Sequence, residues 1–347
     1  MKKGKKKIKQ SQAMPSQIGR GLDVGTTFIY SAQKMGSEVK FNTERNAFFD
    51  IERNDFVENI LKKSNVKCAL KGDKLCVIGE NALKFANVFG KETRRSLKSG
   101  VISPQEEDAL PILNLIIENT LGPHRHKGET IFYSVPGAPV DADFNVIYHE
   151  QILRRMLQNL GYEPKSINEG LAVIYSELAN NDFTGMGISF GGGMANVCLA
   201  VMSIPVFSFS IAKAGDWIDA EVARVSNETG SKITAIKESR LDLTKPENSL
   251  TKIEQALSIY YNHLIEYVLS CVKNEIEKQN KMPLLESPIS IVISGGTAKP
   301  KGFLERFKTA LNKTNLPLKI GEVKLASHPL HTVAKGALIA AIADKGK

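Results

Sequence analysis

Two short stretches place glycine beside hydroxyl side chains, and in one case a carboxylate, in a way suited to holding an anion. In "LDVGTT", Gly25 lets the backbone come close to a ligand, Thr26 and Thr27 add donors, and Asp23 stands two residues earlier. A polyphosphate needs such donors at close range, and the carboxylate suits a magnesium ion or one of its waters. The same residues also suit a plain β-turn. In "GISFGGGMANV", Gly191, Gly192 and Gly193 interrupt an apolar strand pattern. Three consecutive glycines weaken a sheet; close approach of a phosphate would offset that cost, and a bulge or flexible hairpin is the alternative. A third stretch, "IVISGGTAKPKGF", puts Gly295, Gly296 and Thr297 at the end of a buried strand, where a nucleoside could lie against the backbone.

The surrounding pattern predicts the elements that hold these turns. "IGRGLDVGTTFIYSAQK" reads as strand, turn and strand, and "TIFYSVPG" as a short buried strand. Helices are predicted in "EEDALPILNLIIENTLG", "NVIYHEQILRRMLQNLGY" and "AGDWIDAEVARVSNETG". "SINEGLAVIYSELA" reads as strand end, turn and helix. After the second glycine turn a hairpin is expected, "VCLAVMS" and "VFSFSIA", joined by a turn containing Pro205. Residues from Ser231 to Ser249 are polar and receive no element. In "TKIEQALSIYYNHLIEYVLSCVKNEIEKQ", the residues Ile253, Leu257, Tyr261, Leu264, Val268, Cys271 and Glu275 trace one helical stripe, read as core packing. Each half of the chain thus opens on a hairpin with a glycine-bearing turn and continues into alternating helices and strands. Sheets covered by helices follow, with the two turns facing one ligand between two lobes.

Composition narrows the function classes. At 347 residues the chain has room for two packed lobes. Its longest apolar stretch, "VCLAVMSIPVF", is too short to span a bilayer, and the basic start is not followed by the apolar core of a secretory signal. Cys68, Cys76, Cys198 and Cys271 have no zinc-ligand or disulfide-framework spacing, which fits a reduced, cytoplasmic setting. The histidines of "HRH" and "HPLH" lack acidic or thiol company and read as solvated loop residues rather than metal pairs. Six lysines in the first ten residues account for much of the net charge of +9. Such a block is normally disordered and is able to touch an anionic membrane at its inner face. No specific nucleic-acid partner is expected, because no aromatic residues interleave the basic ones.

Order and spacing together are more telling than any single turn. "GLDVGTT", "SGVISP", "YSVPGAP", "GISFGGGMANV", "IVISGGTAKPKGF" and "HPLHTVAKGALIAA" occur in the order found in the actin, heat-shock-chaperone and sugar-kinase superfamily. Within it the chain resembles the bacterial MreB and MamK filament proteins, over roughly residues 17–342. The resemblance implies an α/β fold of two RNase-H-like (actin-like) lobes with a nucleotide cleft between them, each with a small outer subdomain. It places a lysine-rich tail at 1–16 and the first lobe at 17–166, with its outer part at about 40–80. The second lobe falls at 167–335, its outer part shortened to about 213–250, and a C-terminal helix at 336–347 returns to the first lobe.

The implied ligands are ATP or ADP with Mg2+. Asp23, Gly25, Thr26, Thr27, Gly191, Gly192 and Gly193 would hold phosphate; Gly215, Lys237, Gly295, Gly296 and Thr297 would hold adenosine; and Asp23 with Ser189, through water, would hold the metal. Glu169 in "INEGLAVIY" matches the glutamate that positions the attacking water, although a carboxylate is also favoured at a helix start. The implied activity is slow ATP hydrolysis with assembly into cytoskeletal filaments, the partner being the chain itself. The alternative is a nucleotide-binding adaptor of the FtsA or PilM type that recruits partners to the membrane without polymerising. The chain departs from the pattern in several places. Ser189 stands for the second loop's aspartate, Met194 and Ala195 for its two threonines, Gly170 for the proline after the glutamate, and Phe28 and Ile29 for small polar residues. No pocket-building insertion of a sugar kinase is seen, and no chaperone substrate domain is expected.

Overall fold

The computed structural model describes residues 19–64, 66–88, 93–103, 105–106, 108–279 and 287–344; the lysine-rich tail at 1–16 lies outside them. The chain opens with an antiparallel run of three strands, β1 (Arg20–Val24), β2 (Phe28–Met35) and β3 (Glu38–Arg45). A small outer piece follows: β4 (Phe48–Glu52), α1 (Asp55–Lys63), β5 (Cys68–Lys71), β6 (Lys74–Ile78) and α2 (Glu80–Val88), with its own three-stranded sheet. The short hairpin of β7 (Leu97–Lys98) and β8 (Val101–Ile102) leads to α3 (Ala109–Leu121), β9 (Glu129–Val135), α4 (Ile147–Asn159) and β10 (Tyr162–Asn168). The strands close a sheet of order β10-β9-β1-β2-β3, in which β9 and β10 run parallel to β1.

The second half repeats this plan. After α5 (Glu169–Glu177) come β11 (Gly185–Phe190), β12 (Ala195–Val201) and β13 (Ile204–Ile211), again antiparallel. Then follow α6 (Gly215–Ser226), α7 (Gly230–Arg240), α8 (Lys252–Lys278), β14 (Ile289–Ser294), α9 (Phe303–Thr314), β15 (Ile320–Leu325) and α10 (Thr332–Asp344). The sheet order is β13-β12-β11-β14-β15, with β14 and β15 parallel to β11. Every residue of β11 and β14 is buried, as expected where helices cover both faces of parallel strands.

Three sequence expectations change. The β12–β13 turn is Met202–Ser203, both at positive φ (46° and 69°), the conformation that a two-residue hairpin connection demands. Pro205 sits inside β13 opposite Ala200. It is tolerated there because β13 is an edge strand of its sheet and the missing N–H has no ladder partner to satisfy. Residues 231–240, which received no element, belong to α7, started by the Thr229 side chain accepting from the Lys232 N–H. Nor is His331 a solvated loop residue: its ring stacks on Phe41 with centroids 4.5 Å apart and meets the edge of Tyr30.

The stripe on α8 holds only in part. A capping box of Thr251 and Glu254 starts the helix, and Leu257, Tyr261, Leu264 and Val268 are buried as expected. Over its 27 residues the buried face then drifts to Val272 and Ile276, leaving Cys271 and Glu275 half-buried. A straight helix of 3.6 residues per turn departs from a seven-residue stripe in this way.

Helices α5 and α10 cross between the two sheets. Val333, Ala337 and Ala340 of α10 pack with Ala172 and Val173 of α5, while Ala334 and Leu338 pack on Tyr30 and Ala32 of β2. The crossing is close because Gly336 has no side chain: a Cβ there would lie 1.8 Å from the Ala172 carbonyl oxygen. Gly336→Ala is therefore expected to cost about 1–3 kcal/mol by overpacking, read as a thermal midpoint several degrees lower. An unchanged midpoint would contradict this packing.

Candidate functional site

Between the lobes lies a cavity of about 440 Å³, within the size range of small-molecule sites. Its floor is where β1–β2 and β11–β12 turn toward each other. In the first turn the Gly25 N–H donates to the Phe28 carbonyl at 3.1 Å, and the Thr26 hydroxyl accepts from the Gly100 N–H at 3.2 Å. In the second, the Gly191 N–H donates to the Met194 carbonyl at 2.9 Å. Two carbonyls of the second turn are occupied as acceptors. Gly191 accepts from the Gly215 N–H at 3.2 Å and from the Thr297 hydroxyl at 2.7 Å, and Gly192 accepts from the Asp216 N–H at 2.8 Å. The start of α6 thus pins the turn, while the N–H groups of Thr26, Thr27, Gly192 and Gly193 donate no hydrogen bond among the described residues. Donors without partners on both sides of one cleft form an anion cradle.

The turns also touch. A Cβ on Gly193 would come within 2.3 Å of the Thr26 hydroxyl oxygen and 2.4 Å of the Gly100 nitrogen. Only glycine lets the two loops meet this closely.

Beneath the turns sit two half-buried carboxylates. Asp23 accepts from the Ser134 hydroxyl at 2.9 Å, and Ser134 in turn accepts from the Val24 N–H. Glu169 is the first residue of α5, placed by the Asn168 side chain, which accepts from the Gly170 and Leu171 N–H groups. Gly170 lets that helix start lie against β12, since a Cβ there would be 2.6 Å from the Cys198 nitrogen. Burial raises the pKa of both carboxyls; the Asp23 charge raises Glu169 further, while Ser189 and Asn196 act against it, as Ser134 does for Asp23. Asn196 is fully buried and spends its Oδ1 on the Gly137 N–H.

The residues fit a divalent ion of the magnesium type. Neither Asp23 nor Glu169 has a cation among the groups that shift it, and the described residues contain no group of three His, Cys, Asp or Glu able to hold a metal unaided. Magnesium is commonly held by one or two carboxylates together with waters and substrate phosphates.

The raised Glu169 carboxyl has a consequence for stability. The native state keeps its proton to higher pH than the unfolded chain, so stability falls as pH rises from the ordinary value near 4.5 toward the raised one. Glu169→Gln, free of nucleotide and metal, is expected to match the parent's thermal midpoint at pH 4 and exceed it at pH 9. A constant difference across that range would contradict the shift.

At the other end of the cavity, Lys237 donates to the Gly215 carbonyl at 2.9 Å and pairs with Asp219 at 2.8 Å. The Thr234 hydroxyl donates to the same carboxylate at 2.7 Å. Gly295, at φ 96°, lies so close to β11 that a Cβ would be 2.2 Å from the Phe190 carbonyl oxygen. Phe28 carries the Arg45 guanidinium 4.3 Å above its ring. Among the described residues two ion pairs span the cleft, Arg95–Asp216 at 2.9 Å and Arg45–Glu238 at 3.7 Å.

Asp23, Gly25, Thr26, Thr27, Glu169, Ser189, Gly191, Gly192, Gly193, Lys237, Gly295, Gly296 and Thr297 all line this one cavity. Gly215 is the exception among the expected residues: it stands behind the wall, bonded to Gly191 and Lys237. Sequence reasoning did not single out Ser134, Asn196, Arg95, Asp216 or Asp219. Ser134 and Asn196 were findable as polar residues inside otherwise apolar strand patterns.

No curated protein matches the chain in sequence. Among solved structures, a "MamK double helical filament" aligns at 15% identity over 93% of this chain and 98% of that one, with a TM-score of 0.71. MreB5 of Spiroplasma citri bound to AMPPNP aligns at 16% identity over 96% and 98%, with a TM-score of 0.69. The ethanolamine utilization protein EutJ from Carboxydothermus hydrogenoformans aligns at 15% identity over 94% and 91%, with a TM-score of 0.55. These likenesses establish an actin-like fold of two lobes. A model of the Volactin family matches residues 18–341, nearly the whole length, and the chain belongs to that family.

Proposed function

We propose that this chain binds ATP and ADP with Mg2+ in the interlobe cleft, hydrolyses ATP slowly, and assembles with itself into cytoskeletal filaments. The observation that carries the reading is the pair of glycine turns, with N–H groups that donate to no described residue, lining the same cavity as Asp23 and Glu169. The turns hold the phosphates, Lys237 and the Gly295–Thr297 segment hold the nucleoside, and Asp23 with Ser189 holds the ion through water. Bound Mg2+ supplies positive charge against the phosphates. Glu169 orients the attacking water and accepts its hydrogen bond. With Ser189, Met194 and Ala195 in the second turn, the backbone cradle is kept while a charge and two hydroxyls are missing, which is why turnover is slow and binding is not.

Self-assembly is supported by the fold shared with the MamK filament and with MreB5. Head-to-tail contacts that do not close on themselves give open filaments. The tail lysines are suited to holding such a filament at an anionic membrane surface, and no helix of the described residues is long and apolar enough to cross a membrane. One observation favours the non-polymerising adaptor as a second reading: between α6 and α8 the second lobe carries α7 and no strand, less than the first lobe's outer piece. Sedimentation with ATP, ADP and no nucleotide, followed by negative-stain imaging, separates the two. Nucleotide-dependent pelleting with visible filaments supports assembly; nucleotide binding without pelleting supports the adaptor.

A further inference from the structure

Five cationic side chains line the cavity: Arg95, Lys237, Arg240, Lys299 and Lys301. Lys237 is tied to Asp219 and to the Gly215 carbonyl. Arg240 ends α7, and Lys299 and Lys301 follow the Gly295–Thr297 segment, so these three belong to the end assigned to the nucleoside. Arg95 alone borders the facing glycine turns. It stands two residues before the β7–β8 hairpin, whose Gly100 N–H donates to Thr26. Its Nη1 donates to both carboxylate oxygens of Asp216, at 2.9 and 3.0 Å. Asp216 is fixed beside the second turn by its N–H bond to the Gly192 carbonyl, and its Oδ1 would lie 3.6 Å from a Cβ on Gly192.

We infer that Arg95 reads the terminal phosphate of a bound nucleoside triphosphate, with Asp216 holding the guanidinium when that phosphate is absent. The inference rests on the cleft being a nucleotide site. Only one of the three guanidinium nitrogens is engaged; Nε and Nη2 donate no hydrogen bond among the described residues. The pair is open to solvent, with side-chain exposures of 30% and 36%, and a bridge of that kind contributes little. A phosphate offers the guanidinium charge-assisted, two-pronged bonding, and its own charge repels Asp216. The exchange therefore favours phosphate when it is present. The cation stands over the turn in which Met194 and Ala195 bring no hydroxyl, so it supplies there what the loop lacks. Because Arg95 belongs to the first lobe and Asp216 to the second, the exchange also changes a contact across the cleft.

The test compares Mg·AMPPNP and Mg·ADP by calorimetric titration into the full chain and into R95A, R95K and D216N. Arg95→Ala is expected to weaken AMPPNP about tenfold, the scale of one charge-assisted hydrogen bond, and to leave ADP within twofold. Arg95→Lys is expected to recover part of that loss. Asp216→Asn frees the guanidinium and is expected to tighten AMPPNP severalfold. A bridge that merely holds the lobes together would move R95A and D216N in the same direction for both nucleotides, and that result overturns the inference. Equal losses of AMPPNP and ADP in R95A overturn it too. If the parent chain binds neither nucleotide, the cleft reading itself falls, a result distinct from both.

Discussion

Glu169→Ala is expected to lower steady-state phosphate release by two orders of magnitude or more while nucleotide affinity stays within a fewfold of the parent. Positioned proton acceptors contribute about 10²–10⁴ to such reactions, and phosphoryl transfer depends chiefly on an aligned nucleophile and neutralised charge. Glu169 is well placed for the first task. It projects from the first position of α5, a helix start locked by Asn168 and pressed against β12 through Gly170. The cradle N–H groups come from other residues, so binding does not depend on its carboxylate. Phosphate release assayed at saturating Mg·ATP, with AMPPNP titration alongside, checks both halves. An unchanged rate would remove Glu169 from the chemistry, whereas a lost affinity would make it a structural residue of the cleft.

The second large effect is a gain. Ser189→Asp is expected to raise the hydrolysis rate by up to about a hundredfold, taking the cost of removing one optimised polar contributor as the scale. Ser189 lies in β11 between Asn196 of β12 and Ser294 of β14, nearly buried and lining the cavity. A carboxylate there would join Asp23 and Glu169, three acids around one small space. With Mg2+ and phosphate bound, the added charge completes the ion's surroundings. Without them, like charges confined together destabilise the fold. The variant is therefore expected to melt below the parent in chelator and to recover most of that loss with Mg·ADP. A rate at or below the parent's in saturating Mg2+ would show that the serine is not the reason for slow turnover.

The parts of the molecule written in local pattern were readable in the sequence. The glycine turns, the strands beside them and the start of α5 follow from alternation, β-branched residues and helix-start chemistry over a dozen residues at a time. So did the duplication, since both hairpins carry the same signals. Other features depend on the assembled fold. Pro205 looked like a turn residue because its tolerance comes from β13 being a sheet edge, which one strand cannot reveal. Helix α7 hides only Ile233 and Ile236 and is mostly polar elsewhere, with too few apolar positions to mark a period. The buried face of α8 drifts because a straight helix does not keep a seven-residue repeat.

Within the site, the residues that touch phosphate or metal in the proposed reading were visible, because glycine and aspartate announce themselves. Those that act across the cleft were not. Arg95 and Asp216 lie 121 positions apart, and nothing near either residue names the other. The same holds for Gly215, whose N–H and carbonyl are spent on Gly191 and Lys237, partners that its sequence neighbourhood does not name.

Calorimetric titration of the purified chain with ADP and AMPPNP, each with and without Mg2+, tests the central claim most directly. The facing turns with their free donors predict saturable binding of both nucleotides at one site per chain, strengthened by the ion and lost when Gly193 is replaced by valine. A chain that remains folded yet takes up neither nucleotide in the presence of Mg2+ would contradict the account at its root.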